Sequence, residues 1–175
     1  PRASRTVPFV SKATGLPLVG GDTTRGGLSV TVTVMGSTPA ACCLRRSGAR
    51  SGDRVCVSGT LGDAAAGLAI IEGHLTASDQ TAAEFLTRRF TAPTARLALG
   101  ESLLGVATSA IDLSDGLLAD AEHIANASAV AIEIDSGKIP LSPAMRTLPD
   151  LDKRLQWALA GGDDYELLVT LPNGE

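Results

Sequence analysis

Residues 108–120 are the stretch with the strongest chemical signal, because two aspartates and a serine stand where an apolar stretch changes to a helical pattern. If the apolar stretch is an extended strand, successive side chains point to opposite faces. Asp112 and Ser114 then share one face, while Ile111 and Leu113 lie in the core. An aspartate in such a strand is costly to bury unless it is paired or bound to a metal ion. The stretch therefore predicts a polar site centred on Asp112.

A helix is predicted after Gly116, since apolar residues recur there at helical spacing. They are Leu117, Leu118, Ala121, Ile124 and Ala125. Ser114 or Asp115 suits the N-cap of this helix, because either side chain can accept a hydrogen bond from a free N–H of the first turn. A plain strand, cap and helix would explain those two residues but not Asp112.

Two further acidic turns contain paired glycines. Residues 20–25 read Gly-Gly-Asp-Thr-Thr-Arg and lie between two predicted strands, Leu16–Val19 and Leu28–Met35. Glycines let a backbone turn tightly and approach a ligand closely. A polar hairpin turn is the alternative interpretation of this segment.

The third acidic turn, residues 161–166, reads Gly-Gly-Asp-Asp-Tyr-Glu and precedes a predicted last strand. Extended geometry would place Asp164 and Glu166 on one side of the backbone. Asp163 and Tyr165 would then lie together on the other side.

These residue types indicate phosphate chemistry. Carboxylate oxygens are the ligands that Mg²⁺ prefers, and a bound Mg²⁺ often bridges to substrate phosphates. Arg45, Arg46 and Arg50 could neutralise phosphate charge, although a solvated surface loop would look the same. The glycine turn over residues 58–63 could bind an anion at a helix N-terminus, but helix packing explains it equally well. The combination best fits phosphoryl transfer, in which positioning and electrostatics supply most of the catalysis.

Length and composition favour an α/β or α+β fold. Of the 175 residues, 44% are apolar and only 3% aromatic, so the core must rest on aliphatic side chains. A helix is predicted over Thr76–Phe90, with Ser78 as its N-cap and Phe85 on its buried side, and a strand over Ala129–Ile134. Predicted strands and helices mix along the chain in this way, which favours layers of helix on sheet. A net charge of −4 disfavours nucleic acid as a partner. Three cysteines without metal-type spacing, and no long apolar run, predict a cytoplasmic protein without a membrane span.

Four motifs occur in the order found in the thiamine-monophosphate kinase family. They are Val19-Gly-Gly-Asp-Thr-Thr-Arg25, Arg46-Ser-Gly-Ala49, Ile111-Asp-Leu-Ser-Asp-Gly-Leu117 and Gly161-Gly-Asp-Asp-Tyr-Glu-Leu167. The chain resembles that family, which lies in the superfamily of aminoimidazole-ribonucleotide synthetase and selenophosphate synthetase. The resemblance implies a two-domain PurM-like kinase fold, partly present, with helices packed on a mixed sheet.

The resemblance also implies direct phosphoryl transfer from ATP to thiamine monophosphate, with Mg²⁺ and without a phosphoenzyme. No catalytic base is assigned, because the substrate phosphate is already anionic. A homodimer joined through N-terminal domains is implied as well. Another enzyme of the superfamily and a truncated, non-catalytic fragment are the alternatives.

The family's site residues can be transferred position by position. The implied Mg²⁺ ligands are Asp22, Asp112 and Asp115, the implied ATP contacts are Gly21, Asp22, Arg46 and Ser114, and the implied substrate contact is Asp163. The family more often has glutamate at position 163, so the side chain here is one methylene shorter. We expect residues 1–41 to be the end of an N-terminal ATP-binding domain and residues 42–175 to be most of a C-terminal domain. The sequence is accordingly expected to be a fragment that lacks both ends of the protein.

Overall fold

The computed structural model describes residues 15–77 and 79–173, and contacts divide the chain into the units Pro1–Ser37 and Thr38–Glu175. The described part of the first unit, residues 15–37, is exposed throughout and contains no helix or strand. The predicted strands Leu16–Val19 and Leu28–Met35 are therefore wrong for these residues, because an extended segment needs paired neighbours to be stable. The assignment of this unit to an ATP-binding domain stays a prediction.

The second unit mixes strands with helices. Its elements are β1 (Arg54–Val57), α1 (Asp63–Ile71), α2 (Gln80–Thr91), α3 (Leu97–Ser102), β2 (Ser109–Leu113), α4 (Leu117–Ser128), α5 (Pro143–Arg146), α6 (Leu151–Ala160) and β3 (Glu166–Leu171), with 3₁₀ turns at Ala40–Cys42 and Ser136–Lys138. This composition confirms the predicted α/β (α+β) class. Among the described residues, no helix is long and apolar enough to cross a membrane.

The strands form a three-stranded antiparallel sheet in the order β1-β3-β2, with β3 in the centre. In its register, Asp112 lies opposite Leu167 and Leu113 lies opposite Glu166. Ile111 and Leu113 are buried and Asp112 is exposed, so the predicted alternation of faces is confirmed. Because Asp112 is exposed, burial does not require it to have a partner, and its role as a Mg²⁺ ligand stays a prediction.

Two apolar clusters stabilise the unit. One joins β2 and β3 to α4 and α6, and its members include Ile111, Leu113, Leu117, Ile124, Ala158 and Leu168. The other lies among α1, α2 and α5, with Ala66, Ala82, Leu86, Ala144, Met145 and Leu148. The first cluster positions the ends of β2 and α4, where the sequence predicts chemistry.

The predicted helix Thr76–Phe90 is observed with a later start, as α2. Asp79 caps it, because its side chain accepts a hydrogen bond from the backbone N–H of Ala82 at 2.8 Å. Ser78, the predicted cap, lies outside the described residues. Phe85, predicted on the buried side, is 41% exposed.

The predicted strand over residues 129–134 does not form. Its alternation is present, since Val130, Ile132 and Ile134 are half-buried and the residues between them are exposed. No described strand pairs with it, and its backbone N–H groups at Ala129 and Val130 bond back to the end of α4. A cavity of about 660 Å³ is lined by both this segment and β1. An alternation of apolar and polar residues shows only that one face of a segment is buried. A β-strand also requires backbone hydrogen bonds to a neighbouring strand.

Replacing Ile124 with alanine tests the first cluster. This side chain is fully buried on α4, so Ile124→Ala should lower the free energy of unfolding by about 2–5 kcal/mol. Leu118→Ala on the same helix is the control, because Leu118 is 50% exposed and its loss should cost less than about 1 kcal/mol. Urea denaturation measures both, and equal losses would contradict the assigned core.

Candidate active site

Two of the predicted acidic turns lie side by side at one end of the sheet. The backbone N–H of Asp163 donates to the carbonyl of Ser114 at 2.9 Å, and the N–H of Tyr165 donates to the carbonyl of Leu113 at 2.8 Å. These bonds extend the pairing of β2 and β3 beyond the strand ends. They bring residues 112–115, at the end of β2, next to the turn at 161–166.

Glycines permit this close approach. A Cβ at Gly162 would lie 2.5 Å from the carbonyl oxygen of Ser114, and a Cβ at Gly116 would lie 2.9 Å from the carbonyl carbon of Ala160. Both obstacles are backbone atoms, which cannot rotate away. Gly116 has a φ of 105° and occupies the N-cap of α4, so the prediction that Ser114 or Asp115 caps this helix is wrong.

The turn at 161–166 presents alternate side chains to opposite sides, as predicted. Asp164 and Glu166 are buried, whereas Asp163 is half-buried and Tyr165 is 43% exposed. The backbone is not simply extended, because Asp163 and Tyr165 have positive φ values of 67° and 50°. Such a conformation is unfavourable for side chains other than glycine and requires support from the surrounding structure.

Asp164 supports the turn by capping α1. Its carboxylate accepts the backbone N–H groups of Gly62 at 2.6 Å and Ala64 at 3.2 Å. Burial raises the pKa of Asp164 to about 6; the negative charge of Asp63 acts in the same direction, and the two N–H donors oppose both. The sequence left open whether the glycine turn before α1 binds an anion. In the structure, backbone N–H groups of this turn bind the carboxylate of Asp164.

Glu166 supports the turn through a buried ionic network that the sequence did not predict. Its carboxylate accepts hydrogen bonds from Ser58, Arg89 and Arg96. Burial alone would raise the pKa of Glu166, but the hydrogen bonds from Arg96 and Ser58 and the charges of both arginines outweigh it and hold the pKa below its ordinary value. Asp63 extends the network, with Arg89 Nε 3.6 Å from its Oδ2.

The outward side of the two turns is strongly acidic. The negative charge of Asp163 is the largest cause of a raised pKa at Tyr165, and Asp112 and Asp115 add to it. The structure thus brings together four predicted site residues, Asp112, Ser114, Asp115 and Asp163. An exposed face with three carboxylates can attract cations.

A group that could hold a metal ion occurs in the described part of the chain. Ligand atoms of Asp115, Asp120 and His123 all lie within 4.8 Å of one another. Asp120 is buried and accepts the backbone N–H of Asp115 at 3.1 Å. Burial raises the pKa of Asp120, and the charges of Asp115 and Asp112 reinforce this shift. Carboxylate oxygens held together in this way fit a hard cation such as Mg²⁺.

Asp120 and His123 were not predicted as site residues. A signal for Asp120 was available, because it interrupts the apolar face that Leu117, Ala121 and Ile124 give to α4. An acidic residue on a buried helix face needs a partner or a function. His123, three residues further along, lies on the same side of the helix.

Arg46 lies near the other end of α4. Its carbonyl accepts the hydroxyl of Ser128, which in turn accepts the backbone N–H groups of Gly48 and Ala49 at 3.2 Å. The Arg46 side chain is exposed. The structure therefore does not bring it into the contacts that unite the two turns, and its role toward ATP stays a prediction.

Gly21 and Asp22 belong to the first unit. The side chain of Asp22 accepts the backbone N–H of Thr23 at 2.7 Å, which is a local turn contact. Both residues are exposed. Their predicted contacts with ATP and Mg²⁺ remain predictions.

Comparison with known proteins decides the family. The model of "AIR synthase related protein, C-terminal domain" matches residues 50–171, which include both turns. The chain belongs to the AIR synthase related family. A thiamine-monophosphate kinase of Salmonella typhimurium is 47% identical over 157 residues, covering 90% of this chain and 48% of that protein. One of Haemophilus influenzae is 41% identical over 169 residues, covering 97% of this chain and 51% of that protein.

Solved structures of this family share the fold. A thiamine-monophosphate kinase from Stenotrophomonas maltophilia gives a TM-score of 0.73 at 44% identity, over 78% of this chain and 44% of that chain. AaThiL complexed with AMPPCP and TMP gives 0.67 at 41% identity, over 74% of this chain and 42% of that chain. These matches confirm the predicted PurM-like fold and the resemblance. The chain spans about half the length of the relatives it matches.

Asp164→Asn should change how stability depends on pH. The pKa of Asp164 rises from 3.8 to about 6 on folding, so the folded state holds the proton more tightly and this group lowers stability as pH rises from about 4 to 6. We expect the wild type to lose about 2 kcal/mol relative to Asp164→Asn over that interval, and about 3 kcal/mol between about pH 3 and pH 7. Urea titrations at several pH values measure this. Asp152→Asn, at an exposed position, is the control, and parallel curves for wild type and Asp164→Asn would contradict the assignment.

Gly162→Ala should separate the two turns. The added Cβ meets the Ser114 carbonyl at 2.5 Å, so we expect a loss of about 1–3 kcal/mol in the free energy of unfolding. In Gly100→Ala the nearest atom is 4.0 Å away, and this helical position should tolerate or gain from alanine. Thermal unfolding compares them, and a harmless Gly162→Ala would show that the turns are not tightly packed.

Proposed function

We propose that the whole protein phosphorylates thiamine monophosphate to thiamine diphosphate, with ATP as phosphoryl donor and Mg²⁺ as cofactor. The observation that carries the proposal is the joining of the two acidic turns, which gathers Asp112, Ser114, Asp115 and Asp163 on one face. Sequence identity of 41–47% to thiamine-monophosphate kinases supports the choice of reaction. AMPPCP, bound by AaThiL, is a non-hydrolysable analogue of ATP and supports the choice of donor.

Asp112 and Asp115 would bind Mg²⁺, and Asp120 would support the site by holding Asp115 in place. A bound Mg²⁺ would neutralise the negative charge that develops on the phosphates during transfer. Asp120 is buried and orients Asp115 through the backbone N–H of that residue. Burial is the largest cause of the raised pKa of Asp120 and the charges of Asp115 and Asp112 add to it; a divalent cation would oppose this shift. Asp22 as a further ligand follows from the resemblance alone.

Asp163 would contact thiamine monophosphate and Ser114 would contact ATP. Both residues lie in the paired segments, so nucleotide and acceptor would be held by backbone that is itself hydrogen-bonded. Holding two reactants in this way is a large part of catalysis in phosphoryl transfer. No side chain needs to remove a proton, because the acceptor phosphate is already anionic. Gly21 and Arg46 are proposed as further ATP contacts from the resemblance.

The remaining features of the proposal concern the whole protein. A homodimer formed through N-terminal domains stays a prediction, as does a cytoplasmic location. The free cysteines Cys42, Cys43 and Cys56 are consistent with a reducing compartment. Nucleic acid is not proposed as a partner, given the net charge of −4.

The test is formation of thiamine diphosphate from thiamine monophosphate, ATP and Mg²⁺ by the full-length protein. Asp112→Asn should lower kcat/KM by about 100-fold or more, because a charged oxygen ligand of the metal is lost. Asp152→Asn on α6 removes one exposed carboxylate elsewhere and should leave kcat/KM unchanged. Absence of product with the wild-type protein would refute the function, and an unaffected Asp112→Asn would refute the metal site.

A further inference from the structure

Arg96 makes a two-pronged contact with a buried carboxylate. It stands just before α3, and its Nε and Nη2 donate to Oε2 and Oε1 of Glu166 at 2.6 and 2.5 Å. Glu166 is fully buried, whereas the Arg96 side chain is 33% exposed. Bidentate contacts of this kind fix orientation as well as supplying energy. The connection between α2 and α3 thus contacts the 161–166 turn through the side chain of Arg96.

Glu166 and Asp164 are the two inward anchors of that turn. Asp164 is held by the N-terminus of α1, and Glu166 is held by Ser58, Arg89 and Arg96. Asp163 and Tyr165 alternate with the anchors and have positive φ. Non-glycine residues in that region cost on the order of 1 kcal/mol each, so the outward presentation of Asp163 depends on the anchors remaining in place.

Arg96 and Arg89 both bind Glu166, but their other contacts differ. Arg89 Nη2 is shared among the carbonyls of Thr60 and Asp164 and the carboxylate of Glu166, and its side chain is only 12% exposed. Arg89 therefore belongs to the general interior of the unit. Among the described residues, the Arg96 side chain donates its hydrogen bonds to Glu166. Removing Arg96 therefore loosens the anchor and leaves the other donors present.

We propose that Arg96 is a positioning residue for the phosphate acceptor: its bidentate contact with Glu166 holds the 161–166 turn so that Asp163 faces the substrate. The proposal rests on the proposed kinase function. It assigns a role to the connection between α2 and α3, which contains none of the predicted site residues. It also explains why Glu166 carries a charge in the interior, directly after Tyr165 with its positive φ.

The test compares Arg96→Met, Arg96→Lys and Arg88→Met in the full-length protein. Arg88 is exposed on α2, so Arg88→Met makes the same change of charge without touching Glu166. We expect Arg96→Met to raise KM for thiamine monophosphate about tenfold or more, with a smaller change in kcat and in KM for ATP. Arg96→Lys keeps the charge but loses the bidentate contact, and should be more stable than Arg96→Met and have an intermediate KM. Arg88→Met should match wild type.

A second background separates positioning from general stability. If Arg96 acts through Asp163, then Arg96→Met should change KM by less than about threefold when Asp163→Asn is already present. A purely structural role would give the same factor in both backgrounds. If Arg96→Met does not fold, Arg96→Lys serves in the same cycle.

The outcomes distinguish the two proposals. Wild-type protein that forms no thiamine diphosphate would overturn the proposed function together with this inference. An active wild type would overturn the inference alone if the folded Arg96 variants have unchanged KM for thiamine monophosphate. The inference would also be overturned if Arg96→Met changed KM for thiamine monophosphate by the same factor with and without Asp163→Asn.

Discussion

The site depends on the backbone pairing that continues past the ends of β2 and β3. Two hydrogen bonds, from Asp163 and Tyr165 to the carbonyls of Ser114 and Leu113, bring two acidic segments together that lie about fifty residues apart in sequence. Glycine at 116 and 162 is required for this approach, because any side chain would collide with backbone. The clustering of Asp163 with Asp112 and Asp115 on the outward face depends on this contact.

Acidic side chains lie on both sides of the 161–166 turn. On the inside, Asp164 and Glu166 are satisfied by helix N–H groups, a hydroxyl and two arginines. On the outside, the carboxylate of Asp163 joins those of Asp112 and Asp115 around Tyr165. The inner carboxylates hold the fold together and the outer ones remain available to cations. Neighbouring acidic residues thus have opposite roles, which their alternation along the backbone determines.

The sequence predicted what depends on local pattern. Alternation on β2 and in the 161–166 turn, the apolar face of α4 and the candidate carboxylates were all readable, and the motif order identified the family. Arg89 and Arg96 were not found, because their partner Glu166 is distant in sequence and only the tertiary fold joins them. Asp120 was missed although it interrupts the apolar face of α4 and its partner Asp115 is close in sequence. The segments 28–35 and 129–134 have strand patterns but no described pairing partners, and pairing is a non-local property.

The cap on α1 links the outward face to the interior of the unit. Because the capping carboxylate of Asp164 follows directly after Asp163, a displacement of the turn would release the amides of Gly62 and Ala64. Those amides would then exchange hydrogen with solvent more rapidly. If an acceptor binds at Asp163, as proposed, it would slow that exchange. Hydrogen exchange at the first turn of α1 would therefore report whether the 161–166 turn is held in place.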